Sequence, residues 1–167
     1  MADGEGWSIQ NSSALYGLDR WGEPYFAING RGHISVQPQG ERGGSLDLVD
    51  LVSELRGRNL GLPLLIRFDD ILEDRLERLH AAFERAISQY GYPGRYQGVF
   101  PVKCNQQRHV VEELVSCGRR WNFGLEAGSK AELLIALSLL DDPDADLQRI
   151  RAVSYTHLTL PTTKNGG

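Results

Sequence analysis

Three apolar runs of strand length alternate with stretches of helical periodicity between about residues 63 and 140. These runs occupy residues 63–68, 98–103 and 119–126, and short polar loops follow each of them. Near-continuous apolar strands joined through helices predict a parallel sheet with right-handed crossovers. Three strand–helix units do not close a barrel, and they would leave an edge and a face of the sheet uncovered. The predicted fold is therefore α/β and part of something larger.

Start and stop signals bound the predicted helices. Ser45 is the expected cap of a helix that precedes the first strand, and residues 71–90 place their apolar side chains on one helical face. Gly118 is expected to stop the helix after the second strand. Ser129 and Glu132 have the spacing of a capping box, which predicts the start of a helix after the third strand.

The N-terminal segment, residues 1–44, is rich in glycine and aromatic residues and has little helical periodicity. Residues 25–29 and 33–38 are short β-prone runs on either side of a glycine-containing turn, which predicts a β-hairpin. Residues 39–44 have the composition of a flexible linker. We therefore expect a β-hairpin arm ahead of the α/β domain.

Composition excludes several classes of function. The net charge of −4 and the lack of a dense basic stripe argue against a nucleic-acid surface. Cys104 and Cys117 make neither a disulfide framework nor a metal-ligand spacing. The N-terminus lacks the apolar segment of a secretory signal, and no apolar run approaches the roughly 18 residues of a membrane span. A soluble protein of a reducing, cytoplasmic compartment is expected.

Lys103 stands out because the second predicted strand ends on it. Parallel α/β folds place their chemistry in the loops that follow the carboxyl ends of the strands. A solvated lysine at a strand end is the commoner explanation of such a position, and a catalytic lysine is the rarer one. Residue types alone leave both explanations open.

Other polar residues have ordinary structural explanations. His33, His80 and His109 lack the mutual spacing of a metal site or a catalytic triad, and they are expected at surface or hairpin positions. Cys104 is expected to point away from the neighbouring lysine and to pack outside the sheet. The acidic residues at 69–74 are expected at a helix N-terminus and on its solvated face, where the helix dipole favours them, rather than around a cation.

Six segments, taken in order, carry a family resemblance. They lie at residues 16–22, 25–29, 32–38, 62–71, 100–106 and 124–130. Together they resemble the N-terminal part of the biosynthetic arginine decarboxylases, which belong to the alanine-racemase-like, fold type III pyridoxal-phosphate decarboxylases. The Pro-Val-Lys-Cys-Asn core at 101–105 is similar to that of ornithine and diaminopimelate decarboxylases, whereas the aromatic-rich arm before Gly40 points to the arginine branch.

The resemblance implies a domain plan. Residues 1–44 would form the arm and linker, and residues 45–147 part of a pyridoxal-phosphate-binding (β/α)8 barrel, with a C-terminal β-domain further on in the parent protein. Residues 148–167 are interpreted as a foreign or artefactual tail, because residues 153–163 look like a translated sequencing adapter. The alternative is a genuine edge strand around residues 155–160.

The resemblance also implies roles for residues. Lys103 would form the Schiff base with pyridoxal phosphate, and Glu126 would steady that lysine from the next strand end, where ornithine decarboxylases have an aspartate. The alternative for Glu126 is an ion pair with a neighbouring arginine. For Asn105 and Arg108, a loop-capping residue and a surface cation are the preferred interpretations.

The activity implied for the parent is decarboxylation of L-arginine to agmatine, in arginine breakdown and in putrescine and spermidine biosynthesis. Pyridoxal phosphate and Mg²⁺ would be its cofactors, and a homo-oligomer with shared active sites its assembly, with neither nucleic acid nor membrane as a partner. The chain by itself is expected to be inactive, because it lacks the family's phosphate loop and pyridine-ring partner. The alternatives are a non-catalytic regulatory homologue and a related ornithine or diaminopimelate decarboxylase.

Overall fold

The structure, a computed structural model, describes residues 6–139 and 150–152. The chain divides between Arg75 and Leu76 into two compact units, which we call the N-terminal and C-terminal units. No helix in the described part is long and apolar enough to cross a membrane.

Six helices and six strands make up the described residues. The helices are α1 (Ile9–Tyr16), α2 (Leu18–Trp21), α3 (Leu48–Gly57), α4 (Asp69–Tyr90), α5 (Arg108–Cys117) and α6 (Lys130–Leu139). The strands are β1 (Phe26–Ile28), β2 (Ile34–Val36), β3 (Leu46–Asp47), β4 (Val99–Pro101), β5 (Gly124–Ala127) and β6 (Ile150–Ala152).

A β-hairpin lies in the N-terminal unit, where the sequence predicts one. Strands β1 and β2 pair antiparallel, with Phe26 opposite Val36. The Asn29 side-chain oxygen shapes the turn, because it accepts the backbone N–H groups of Arg31 at 2.9 Å and His33 at 3.1 Å. Asparagine is favoured in turns because its side chain can replace backbone hydrogen bonds in this way.

Two further features of this unit differ from the sequence prediction. The short helices α1 and α2 precede the hairpin, and Ser8 caps α1 through a capping box with Asn11. Asp47, rather than Ser45, caps α3, because β3 pairs with β2 and carries the chain two residues past the predicted cap. The predicted boundary at residue 44 therefore falls inside the N-terminal unit, and the domain plan itself stays a prediction.

A buried carboxylate holds part of the N-terminal unit together. Asp74 is only 2% exposed, so its expected place on a solvated helix face was wrong. The Tyr25 hydroxyl donates to Asp74 at 2.6 Å, and the Arg42 guanidinium forms an ion pair with the same side chain. A buried carboxylate requires such partners because water no longer solvates its charge.

The first predicted strand is absent. Residues 63–68 have no strand hydrogen bonding in the structure, although they are apolar and of strand length. An apolar run of this length does not specify a hydrogen-bonding partner, and a strand exists only where a neighbouring strand supplies one. Of the three predicted strand–helix units, the described residues contain two, β4 with α5 and β5 with α6. The third strand of the sheet is β6.

A three-stranded parallel sheet in the order β4-β5-β6 forms the centre of the C-terminal unit. Leu125 on β5 is 1% exposed and packs with Val102, Val111 of α5 and Ala136 of α6. The parallel pairing agrees with the sequence prediction. The third strand, β6, lies within residues 148–167, and the interpretation of that segment as a foreign tail stays a prediction.

Close packing explains two glycines beside this sheet. A side chain at Gly98 would meet the Phe123 ring at 2.6 Å, and one at Gly118 would meet the Phe123 Cβ at the same distance. Phe123 is itself 5% exposed, so its ring has no room to move away. Gly118 also ends α5, as its position in the sequence predicts.

Acid is expected to weaken the N-terminal unit through Asp47. Burial alone would raise the pKa of this carboxyl, but hydrogen bonds from Asn29, His33 and the start of α3 together lower it from 3.8 to about 2. The ionised form therefore stabilises the fold above the ordinary pKa, and that contribution is lost as pH falls from 3.8 toward 2. Asp47→Asn keeps a capping side chain but removes the charge, so it should flatten this part of the stability profile.

The measurement is thermal unfolding of the hairpin amides by NMR between pH 2 and pH 6. Asp70→Asn is the matched control, because Asp70 is an exposed acid at the start of α4. An unchanged acid profile in Asp47→Asn would contradict the prediction.

Candidate active site at the ends of β4 and β5

Lys103 lies just beyond the carboxyl end of β4. The strand ends at Pro101, and Val102–Cys104 form a single turn of 3-10 helix, so the strand ends two residues earlier than predicted. Proline has no N–H for a ladder hydrogen bond, which explains why pairing stops there. Val102 is fully buried in the core, whereas Lys103 is exposed.

Glu126 lies on the neighbouring strand, near its carboxyl end and two residues before the level of Lys103. Its Cα is the parallel partner of Pro101 on one side and of Arg151 on the other. Leu125 and Phe100, one residue earlier on each strand, pack into the core formed with α5 and α6. Because side chains alternate along a strand, Glu126 lies on the face of the sheet turned away from that core. It is half-buried there.

This arrangement brings an amine and a carboxylate to the same end of two adjacent parallel strands. A lysine amine can add to an aldehyde, and a nearby carboxylate can hold a proton or orient an ammonium group. The donor set therefore suits the attachment of pyridoxal phosphate through its aldehyde. Lys103 is exposed in the described part of the chain, so a cofactor could reach its amine.

The residues that follow Lys103 have structural roles. Asn105 accepts the backbone N–H of Gln107 at 2.9 Å, which is a turn contact. Arg108 is an exposed cation whose Nε donates to Glu112 at 2.7 Å, and this contact raises the pKa of its guanidinium. Cys104 is exposed, so its expected packing outside the sheet was wrong: strand alternation has already ended when the chain reaches it.

The histidines show what sequence spacing misses. His33 lies with Asp47 and Asp50 so that one ligand atom from each falls within 4.8 Å of the others, although they are far apart in sequence. The pairing of β2 with β3 brings these three residues together, and no local sequence pattern predicts that pairing. The Arg31 guanidinium already contacts Asp50 at 2.6 Å and Asp47 at 3.3 Å, which identifies the group as an ion-pair cluster. His109 is exposed, as expected, whereas His80 is only 3% exposed, so its expected surface position was wrong.

The known proteins that this chain resembles all point to one family of decarboxylases. Residues 73–149 match the model of the pyridoxal-dependent decarboxylase family, pyridoxal binding domain. The chain is 92% identical over 145 residues to the biosynthetic arginine decarboxylase of Parasynechococcus marenigrum, a match that covers 87% of this chain and 22% of that protein. It is 66% identical over 137 residues to the biosynthetic arginine decarboxylase of Nostoc sp., covering 82% of this chain and 20% of the relative.

A solved structure agrees. The crystal structure of the biosynthetic arginine decarboxylase from Campylobacter jejuni superposes with a TM-score of 0.70 at 34% identity, over 85% of this chain and 22% of that one. The chain thus spans about a fifth of the length of the relatives that it matches. The resemblance indicated by the six sequence segments is confirmed: over most of its length this chain is similar to one segment of the biosynthetic arginine decarboxylases.

Proposed function

We propose that the chain is the segment of an L-arginine decarboxylase that contributes the lysine to which pyridoxal phosphate attaches. One observation carries the proposal: Lys103 follows the carboxyl end of β4 by two residues, and Glu126 on β5 is paired with Pro101, the last residue of β4. The similarity to proteins named biosynthetic arginine decarboxylases supports arginine as the substrate and agmatine as the product. It does not favour the alternatives of a regulatory homologue or of an ornithine or diaminopimelate decarboxylase.

Lys103 would act as the attachment point. Its backbone is held by the turn after β4, with Val102 anchored in the core, while the four-carbon side chain extends from the sheet edge. A flexible amine on a fixed backbone can release the cofactor to the substrate amine and bind it again without moving the sheet. When bound, the cofactor supplies an electron sink for the pair that remains as the substrate carboxylate leaves as carbon dioxide.

Glu126 would act on the lysine rather than on the substrate. A carboxylate one strand away can orient an ammonium group by a hydrogen bond. Glutamate has one more methylene group than the aspartate found at this position in ornithine decarboxylases, so it can reach further from the strand end.

Further properties of the whole protein follow from the resemblance. We propose a complete (β/α)8 barrel with an additional β-domain, a cytoplasmic homo-oligomer with shared active sites, a place in putrescine and spermidine formation, and a requirement for magnesium. Removal of divalent cations with a chelator, followed by addition of magnesium alone, tests the magnesium requirement.

We propose also that residues 148–167 are foreign. Sequencing across residues 145–153 in independently prepared source DNA would decide this.

A chimaera tests the proposed function. Residues 6–139 would replace the equivalent segment of the Parasynechococcus marenigrum relative, with which the chain is 92% identical. We expect the chimaera to release carbon dioxide from L-arginine within several-fold of the parent rate, because the segment would bring the attachment lysine and its carboxylate. The 167-residue chain alone should show no decarboxylation with arginine and added pyridoxal phosphate.

Two outcomes would contradict the proposal. A folded chimaera that decarboxylates L-ornithine or diaminopimelate but not L-arginine would exclude the assigned substrate. Activity of the 167-residue chain alone would exclude the view that the remaining part of the enzyme is needed.

A further inference from the structure

A second candidate site lies in the C-terminal unit, at the opposite end of the sheet from Lys103. It is a cavity of about 310 Å³. Its walls come from α4, from residues 95–97 before β4 and from residues 119–122 before β5. These segments enter the amino ends of the two strands, whereas Lys103 follows the carboxyl end of β4. Nothing in the proposed decarboxylation uses this cavity.

His80 is the polar group that sets this cavity apart. Its side chain lines the cavity and is only 3% exposed, and its Nε2 has no hydrogen-bond partner among the described residues. The imidazole stacks on Trp121 at 4.9 Å with an interplanar angle of 6°, and Tyr96 lies 5.0 Å away. A buried nitrogen without a partner destabilises the fold, so an oxygen that reaches it regains a hydrogen bond.

Positive charge dominates the rest of the lining. Arg95, Arg119 and Arg120 contribute three guanidinium groups against the single carboxylate of Glu84. Arg120 also lies 3.9 Å from the centre of the Trp121 ring, so it is held against the aromatic wall. It shares its charge with Glu77, which is 3.9 Å away. Guanidinium groups are the protein groups best suited to phosphate, because each can donate two parallel hydrogen bonds.

The ring faces of the aromatic wall are already in contact with protein groups. This favours a small polar ligand over a flat ligand that would have to stack on a ring. The Trp121 ring is stacked on His80 and is also approached by the Arg120 guanidinium, and Phe83 is stacked on Tyr96 at 3.8 Å. These ring faces are therefore already used by the protein. What remains is a set of N–H donors around a cavity large enough for several non-hydrogen atoms.

We propose that this cavity binds a phosphate group, with Arg95 and Arg119 as cationic donors and His80 Nε2 as a neutral donor at its inner wall. Arg95 and Arg119 are exposed, so their rotation can admit an oxygen to the buried nitrogen without moving the sheet. The proposal concerns a site distinct from the one that would hold the cofactor, and it stands independently of the proposed function.

Titration of the ¹⁵N-labelled 167-residue chain with inorganic phosphate tests the proposal, at constant ionic strength maintained with sodium chloride. We expect a saturable shift of the His80 Nε2 resonance, and smaller shifts at the amides of residues 95–97 and 119–122. Sodium acetate at the same ionic strength should bind more weakly, because it carries one charge where phosphate carries up to two.

Three exposed positions give matched variants. Arg95→Ala should weaken phosphate binding by roughly fivefold to tenfold, since it removes a charge-assisted hydrogen bond. Glu84→Gln should tighten binding, because it removes the one carboxylate of the lining. Arg85→Ala removes an arginine of α4 that does not line the cavity, and it should change the affinity by less than about twofold.

Three results would overturn the proposal. These are a His80 resonance unmoved by phosphate, an equal response to chloride or acetate, and an equal loss of affinity in the Arg85 and Arg95 variants. Far-UV circular dichroism of each variant ensures that an unfolded protein is not counted as a loss of binding.

Discussion

In the full-length chimaera, Lys103→Ala is expected to abolish covalent capture of pyridoxal phosphate and to lower decarboxylation by on the order of 10³-fold or more. The reason is positional. Lys103 is held just beyond the carboxyl end of β4 by a turn that begins with the fully buried Val102, so its backbone position is fixed relative to that strand. The measurement is reduction of the loaded protein with borohydride, followed by peptide mass spectrometry to locate the modified lysine.

Two variants accompany this experiment. Lys130→Ala, at the exposed start of α6, should keep full capture and activity. Glu126→Gln should keep the covalent label on Lys103 but lower the rate, because the neutral amide no longer offers a carboxylate to hold a proton or orient the amine. A label on Lys130, or full activity in Lys103→Ala, would reject the assigned role of Lys103.

Leu125→Ala is expected to destabilise the C-terminal unit by about 3 kcal/mol, within the range that buried leucines show when truncated to alanine. Leu125 is 1% exposed at the centre of the sheet and contacts core residues of α5 and α6. The cavity left by the lost side chain would lie between three elements that are held by their own backbone hydrogen bonds, so it cannot readily collapse. Urea unfolding followed at the amides of β4 and β5 measures the change in the free energy of unfolding.

Leu134→Ala is the matched control. Leu134 lies on α6, where it is 58% exposed, so the same chemical change removes little buried surface. Alanine is also the better helix former, and the expected change is below about 1 kcal/mol. Equal destabilisation by the two variants would show that Leu125 does not occupy the core in the way described.

Local signals in the sequence predicted much of the secondary structure. The 22-residue helix α4 was predicted to within two residues, because its apolar side chains repeat at helical spacing over more than five turns. The capping spacing of Ser129 and Glu132 also has a structural counterpart: Ser129 Oγ accepts the Glu132 N–H at 3.2 Å, and the Glu132 carboxylate accepts the Gly128 N–H at 2.8 Å. These interactions span four residues or fewer, so the sequence contains all their partners.

Predictions failed where a distant partner decides the outcome. Residues 63–68 are apolar and of strand length, yet they form no strand, because strand formation depends on a neighbour that the run itself does not specify. Asp47 replaces Ser45 as the helix cap because β3 pairs with β2, which ends ten residues before β3 begins. Asp74 was expected on the solvated face of α4, but the structure buries its carboxylate against Tyr25 and Arg42.

The candidate site, too, could be predicted from the sequence only in part. Its amine could be named from the sequence, because an apolar strand that ends on a lysine is a local pattern, and the family resemblance gave that pattern a role. The pairing of Pro101 with Glu126 comes from the parallel register, which sets residues 25 positions apart side by side. The cavity around His80 had no local sign at all, since its walls come from three segments of the chain.

Short-range signals in the sequence were enough to predict helices α3 to α6, the hairpin, the lysine that follows β4 and the family resemblance. The reason is that capping, periodicity and motif order all act over short stretches of chain. Only the tertiary structure decided which apolar runs became strands, which acids were buried and which charged groups share a cavity. Those outcomes depend on hydrogen bonds and burial between residues distant in sequence. Glu126, for example, lies beside Pro101, two residues before Lys103, only because β4 and β5 pair.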